Sequence, residues 1–461
     1  MSVAEMVSNR IAADGLAVTA IENVKVTDLV AEYGTPLWVI SSNQIRDNFS
    51  ELAEAAQTLQ PFEIAYSIKA NNNRSVLETM RACGALVDCS SEWELKIALA
   101  AGVPGSAIIL NGNGKSESYL QVAVDAGVRQ INVDSLKEVQ RLEDLAQQAD
   151  REVDCVVRVK LSYRELLAVD PSYERTLRVA EAKFGSSIVN GDADRTIDAI
   201  AQSERLNFRG LSHHAGFAGY RANYTPDNQL LHVRECAREM AAYATVLRGR
   251  GTEVERLDVG GGLRSGRNVL LSTPGDGADV ALHPLPTAED YIKAIAAGIT
   301  AGWAGDNRPL VQFETGGFQV ANAVSLITTV QDVKETEHPT PRRFITVDSA
   351  MTMFTSRGSS RVGYPVAVAG DRADDRYESV PVEVVGPTCA YDSIAEDILL
   401  PRVEPGDLLM LMNQGAYAEV TSTQFNAFPR PAVVIVDGKH SHLVRRRETL
   451  EDIVSREVSA S

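Results

Sequence analysis

Between residues 60 and 320 the chain alternates short, nearly unbroken apolar runs with longer stretches whose apolar residues recur at helical spacing. Eight runs predict strands: Ile64–Lys69, Leu86–Ser90, Ala107–Asn111, Gln130–Asp134, Cys155–Lys160, Gly210–His214, Arg256–Gly260 and Leu310–Glu314. Helical patterns such as Glu92–Ala101, Ser116–Ala126 and Leu136–Ala149 lie between most of them. Apolar runs without alternation mark strands buried on both faces, and strand–helix repetition joins such strands in parallel. The Ala-Gly-Val of Ala101–Val103 returns at Ala126–Val128, one strand–helix unit later. Eight such strands suit a closed barrel better than an open sheet, so the fold class expected is α/β, a (β/α)8 TIM barrel over residues 40–325. Beyond residue 325 the texture changes. Short β-rich runs (Ala323–Val330, Arg343–Val347, Val380–Val385, Leu408–Met412, Ala432–Val436) are separated by turns, and helix signals are sparse. This predicts an antiparallel β-sandwich or barrel domain over residues 326–461, completed by residues 1–39.

The predicted strands end in Lys69, Ser90-Ser91, Asn111, Asp134, Lys160, His214, Gly260-Gly261-Gly262 and Glu314. A barrel gathers all eight ends on one face, where active sites sit. Polar loops account for Asn111 and Asp134; they account poorly for a lysine, a histidine pair, a triple glycine and a glutamate together. A lysine at a barrel mouth is partly desolvated, which lowers its pKa and frees an amine for Schiff-base chemistry. Glycines after a strand let backbone N–H groups approach an anion, helped by a following helix start, although a tight turn gives the same pattern. A buried carboxylate such as Glu314 can keep a pyridine nitrogen protonated. His214 or its neighbour His213 could supply a face for a flat ring. A histidine pair can also be structural, and no third ligand at metal spacing accompanies it.

Composition narrows the class. The 461 residues carry 45 Lys+Arg against 62 Asp+Glu, a net charge of −17, which argues against a nucleic-acid or anionic-membrane partner. Cys83, Cys89, Cys155, Cys236 and Cys389 are scattered, without a C-x-x-C pair, which points to free thiols in a reducing, cytoplasmic compartment. Met1–Val18 lacks the apolar run of a signal peptide, and no stretch approaches a membrane span. Residues 264–287, rich in Gly, Pro and Ser, predict a long functional loop.

Ala65-Tyr66-Ser67-Ile68-Lys69-Ala70-Asn71 resembles the Y-A-V-K-A-N motif of the pyridoxal-phosphate decarboxylases with the alanine-racemase-like barrel, the group of diaminopimelate, ornithine and arginine decarboxylases. Further blocks resemble that family in order along the chain: Gly34–Val39, Asp88–Leu95, Lys183-Phe184-Gly185, Leu211–Gly216, Gly260–Leu263, Glu314–Gly317, Gly386-Pro387-Thr388-Cys389, Gly415-Ala416-Tyr417, Phe425-Asn426 and Arg447-Glu448-Thr449. The resemblance implies pyridoxal 5'-phosphate as cofactor, held by Lys69 as an imine, with His214 stacked on its ring and Glu314 on the pyridinium nitrogen. It further implies that Gly261, Gly262 and Tyr417 hold the phosphate, that Asp88 and Glu94 tune the lysine and substrate neighbourhood, and that Arg158 supports the site beneath the ring. Cys389 would protonate the carbanion from the other subunit of a homodimer with shared sites. A free cysteine by itself is as readily a buried structural thiol.

Four departures bear on substrate. Gly317 stands where the family has an arginine, Phe217 where it has a serine, and Ala390 where an acidic residue reads the distal amine of the substrate. Tyr391 and Asp392 follow, and the blurred block Phe354–Tyr364 leaves Arg357 and Arg361 as candidate carboxylate clamps. The expected activity is a decarboxylase, a carboxy-lyase of amino-acid metabolism, acting on an amino acid or amino-acid conjugate other than plain diaminopimelate or ornithine. An amino-acid racemase or epimerase and a non-catalytic regulatory paralogue are the alternatives.

Overall fold

The computed structural model describes the chain except residues 1–7, 15–16, 170, 172–173, 175–182, 216–225, 265–267, 272–280, 338–340, 354–361, 364, 372–378, 391 and 459–461. The eight expected strands are all present: β1 Phe62–Ser67, β2 Leu86–Cys89, β3 Ile108–Leu110, β4 Gln130–Val133, β5 Val153–Lys160, β6 Leu206–Ser212, β7 Arg256–Asp258 and β8 Leu310–Thr315. Each pairs in parallel with the next, and β8 pairs with β1, so the sheet closes on itself. The longest disagreement is at the start of β6, four residues earlier than Gly210. Leu206–Arg209 mixes polar with apolar positions, and a register shift at Phe208/Gly210 breaks the pattern that sequence alone can follow.

Local signals fix the crossover helices. Ser91 caps Glu92–Ala100 by accepting from Glu94 N–H, and Ser116 caps Glu117–Ala126 by accepting from Tyr119 N–H. Gly127 ends the latter with φ 59°, the left-handed position that glycine fills without strain. One expectation fails. Among the described residues, no helix starts directly after the triple glycine. Residues 261–264 are irregular, then Asn268–Leu271 pairs with Ala281–Pro284 and with Val362–Gly363 in a small antiparallel sheet. The stretch is interrupted by Gly266, Pro274, Gly275, Gly277, Pro284 and Pro286, and the next described helix, Ala288–Gly302, starts at the capping box of Thr287 and Asp290.

The strand Val324–Thr336 follows β8 after two short turns and leads into a larger curled sheet. That sheet takes Ile11–Asp14, Ala17–Ile21 and Leu37–Ser41 from the N-terminal part of the chain. It is mainly antiparallel but has three parallel pairings: Leu37–Ser41 with Ala432–Asp437, Arg342–Val347 with Ser379–Val385, and Val366–Ala369 with Ala17–Ile21. Leu37–Ser41 lies between Val324–Thr336 and Ala432–Asp437, and all three parallel pairs join strands by long connections rather than hairpins. One apolar cluster runs from the barrel into this sheet, from Trp38 and Tyr66 to Leu411 and Val433. No described helix is long and apolar enough to cross a membrane.

Candidate active site

The C-terminal ends of the strands meet at one mouth, and Lys69 stands there on the turn just past β1. Its Nζ donates to Asp88 Oδ2 at 3.3 Å and Ser90 Oγ at 3.2 Å, both from the end of β2. Asp88 is buried and filled with donors: Ser67 Oγ at 2.6 Å on Oδ2 and Asn111 Nδ2 at 2.8 Å on Oδ1. Burial pushes the Lys69 amine down, but the charges of Asp88, Tyr417 and Glu314 outweigh it and the net shift is upward. This corrects the expectation of a lowered lysine. Desolvation is real here, yet a buried carboxylate within hydrogen-bond reach favours the ammonium more strongly.

Glu314, near the end of β8, sits in the same network. Asn111 Nδ2 reaches its Oε1 at 2.5 Å and Asn132 Nδ2 at 3.0 Å. Burial, followed by the charges of Asp258 and Asp88, pushes its carboxyl well above the usual range. Asn132 is itself anchored, since Lys115 Nζ donates to its carbonyl at 2.8 Å and to Glu138 Oε1 at 2.7 Å in a fully buried ion pair.

His214 lies beside the triple glycine. Gly261 N–H donates to its Nδ1 at 3.0 Å, which leaves the ring proton on Nε2. Burial first, then the charges of Lys69 and Arg158, hold the ring neutral by pushing its pKa well below the usual value. His213 turns the other way: its Nδ1 faces Val159 O at 3.1 Å, and burial lowers it to about 3. Gly260 and Gly261 leave no room for side chains. A Cβ on Gly261 would stand 2.2 Å from Glu314 O, and one on Gly260 2.8 Å from His213 O. Tyr417, at φ 61°, joins the mouth from the curled sheet, its N–H donating to Ala70 O at 2.9 Å. Gly262, at φ 93°, accepts Gln229 Nε2 at 3.1 Å on its carbonyl.

These residues fit pyridoxal phosphate. They give an amine on the turn after β1, a neutral ring, a buried carboxyl on the neighbouring strand β8, and glycines whose backbone packs against the Glu314 and His213 carbonyls with no space for a Cβ at Gly260 or Gly261. Arg158, half-buried on β5, stacks on the Phe184 ring at 4.2 Å. Glu94 accepts Ser90 N–H at 2.7 Å, and burial pushes its carboxyl up. Cys389 is exposed, and its thiol donates to Asn426 Oδ1 at 3.3 Å. Asp392 is buried and turned into its own loop, accepting Thr388 N–H at 2.9 Å and Thr388 Oγ1 at 2.6 Å on Oδ2. Tyr391, Arg357, Arg361, Gly216 and Phe217 lie outside the described residues. Sequence reasoning missed Asp258, Asn132, Ser67 and the pair Lys115–Glu138. The signal that could have found Asp258 and Asn132 is a polar residue inside an otherwise apolar barrel strand.

The family described as pyridoxal-dependent decarboxylase, pyridoxal binding domain, matches residues 42–321. The diaminopimelate decarboxylase of Pseudomonas aeruginosa is 31% identical over 439 residues, covering 95% of this chain and 96% of the relative. That of Corynebacterium efficiens is 30% identical over 449 residues, covering 96% and 92%. The crystal structure of diaminopimelate decarboxylase from Methanocaldococcus jannaschii superposes with a TM-score of 0.83 at 24% identity, covering 98% of both chains, a likeness of fold.

Proposed function

This chain belongs to the pyridoxal-dependent decarboxylase family, and we propose that within it the enzyme decarboxylates an amino acid or amino-acid conjugate whose distal end is not the free ammonium-bearing end of plain diaminopimelate or ornithine. The observation that carries the reading is the convergence of Lys69, His214, Glu314 and the glycine cradle on one barrel mouth. Pyridoxal phosphate, when bound, supplies an aldehyde that engages amines and a ring that accepts the electron pair left when carbon dioxide departs.

The chain's own residues do the rest. Lys69 Nζ, steered by Asp88 and Ser90, would hold the cofactor through its aldehyde. His214 would offer the ring a neutral imidazole face. Glu314 would partner the ring nitrogen, and Gly261, Gly262 and Tyr417 would hold the phosphate. Arg158 braces the floor through Phe184. Glu94 shapes the entrance beside Ser90. Cys389 Sγ–H would be the donor that supplies a proton in place of the departed carboxylate. Its thiol is exposed, and Tyr417 and Phe425 are also 41% and 46% exposed. We take these features to favour a homodimer in which the partner subunit's barrel meets this thiol.

Substrate choice follows from the loop after Cys389. Ala390 offers no charge, and Asp392 Oδ2 is occupied by Thr388. Among the described residues of this loop, a distal ammonium therefore lacks the acidic partner that the family pattern provides. The relatives' names favour diaminopimelate instead, and that is the second reading. The test is carbon dioxide release and product mass spectrometry over a panel of free and conjugated amino acids. Diaminopimelate turned over as fast as the best of the panel would overturn the substrate reading. Substrate interconverted without carbon dioxide release would indicate a racemase, and no turnover at all a regulatory paralogue. The purified protein should carry an imine absorbance band that Lys69→Ala loses.

A further inference from the structure

Behind Glu314 lies a second carboxyl that no role above uses. Asp258 ends β7 and is fully buried. Gly260 N–H donates to its Oδ1 at 2.9 Å and Asn132 Nδ2 to its Oδ2 at 3.1 Å. The same Asn132 nitrogen reaches Glu314 Oε1 at 3.0 Å, so one amide group bridges the two carboxyls. Two bare carboxylates gathered on one amide in a dry interior repel, and a single proton held between them relieves that repulsion.

The surroundings sharpen the point. Asp258, Glu314 and Asp88 stand in one network spanned by Asn111 and Asn132, each at most 6% exposed. Around it, the turn after β1 supplies the cation of Lys69, whose amine bonds Asp88 rather than the other two, and the end of β6 supplies His214, held neutral. One cation against three acids leaves a buried excess of negative charge, which a retained proton relieves.

We infer that Asp258 is a positioning residue for Glu314: the pair holds one proton, and Asp258 supplies the negative charge that fixes how the Glu314 carboxyl faces the cofactor's ring nitrogen. This rests on the placement of Glu314 against that nitrogen proposed above. The proton balance is closed within the site. With a ring nitrogen bound, the proton held on Glu314 would pass to that nitrogen, leaving both Glu314 and Asp258 as carboxylates beside the resulting cation, and no other donor is required. Burial supports the arrangement, pushing Asp258 up to about 6 and Glu314 well above the carboxylate range. The logic is that of a carboxylate orienting a ligand from behind.

Infrared difference spectra of the cofactor-free protein test the shared proton. Wild type should keep the carbonyl band of one protonated carboxyl at pH 7. Glu314→Gln, which mimics the proton-bearing side chain, should lose that band while staying folded. Asp258→Asn should shift the band's disappearance down by at least one pH unit. No such band at pH 7, or a band whose titration ignores Asp258→Asn, would overturn the inference. A separate measurement tests the link to the cofactor. Asp258→Asn should bind pyridoxal phosphate roughly tenfold more weakly, as removal of an orienting partner commonly does. Unchanged affinity in both variants, beside the expected infrared result, would keep the shared proton and remove Glu314 from the ring nitrogen.

Discussion

Lys69 shows how a residue's chemistry is set by its partners rather than by its type. Burial and Asp88 push its amine in opposite directions, and the upward push wins because the carboxylate is buried beside it. Asp88→Asn should therefore release the amine. Covalent capture of added pyridoxal phosphate by the cofactor-free variant should quicken at pH 8, roughly tenfold for each unit the amine falls. Stopped-flow absorbance across pH reads this directly. Lys115 and Glu138 make the converse case. Both are fully buried and each is the other's charge partner, so the pair is neutral in effect while intact. Glu138→Ala should cost about 3–5 kcal/mol, because it strands a buried ammonium. Replacing both with Met and Leu should recover most of that loss in the denaturant midpoint.

At the scale of elements, the two glycine loops of the mouth differ in kind. In the loop after β7, a Cβ at Gly261 collides with the Glu314 carbonyl, whereas a Cβ at Gly317 after β8 meets nothing closer than Leu263 O at 3.8 Å. Gly261→Ala should destabilise by about 1–3 kcal/mol, as overpacking does, and should displace His214 and weaken cofactor binding. Gly317→Ala should leave the unfolding midpoint within about 0.5 kcal/mol of wild type. Sequence could not separate these loops, because a glycine needed for close approach and a glycine left by drift look the same. The strands and three crossover helices were legible for a better reason. Their apolar spacing and caps are local, and Ser91, Ser116 and Gly127 act within four residues of themselves. The missing helix after Gly262 and the early start of β6 depend on strand pairing, which local spacing does not carry.

At the scale of the molecule, buried histidines make the fold sensitive to acid. His213 and His232 are lowered by burial to about 3 and about 4, against an ordinary 6.5. The unfolded chain therefore binds protons below 6.5 that the folded chain refuses, so their contribution to stability falls as pH drops from 6.5 towards those values. Over one unit below 6.5 the two together should remove about 2 kcal/mol. Urea midpoints of wild type and His232→Gln against pH should diverge by about half of that. Assembly is testable at the same scale. Lys69→Ala and Cys389→Ala chains, each inactive, should regain activity on mixing if the sites are shared, and no recovery would place both residues in one chain's site.

The sequence by itself determined the barrel, the second β-rich region and the family, and it singled out Lys69, His214, Glu314 and the glycine turn as candidates. Each rests on periodicity or on residues adjacent in the chain. Tertiary structure alone decided how those residues are charged and held. Asp88, Asn111, Asn132, Asp258 and Glu314 come from five different strand ends or the residue just beyond them, and nothing local announces that they meet. It also decided that Asp392 serves its own loop and that Lys69 is raised rather than lowered. A pKa, like a shared proton, depends on burial and on neighbours brought together by barrel closure, and closure is a property of the whole ring of strands.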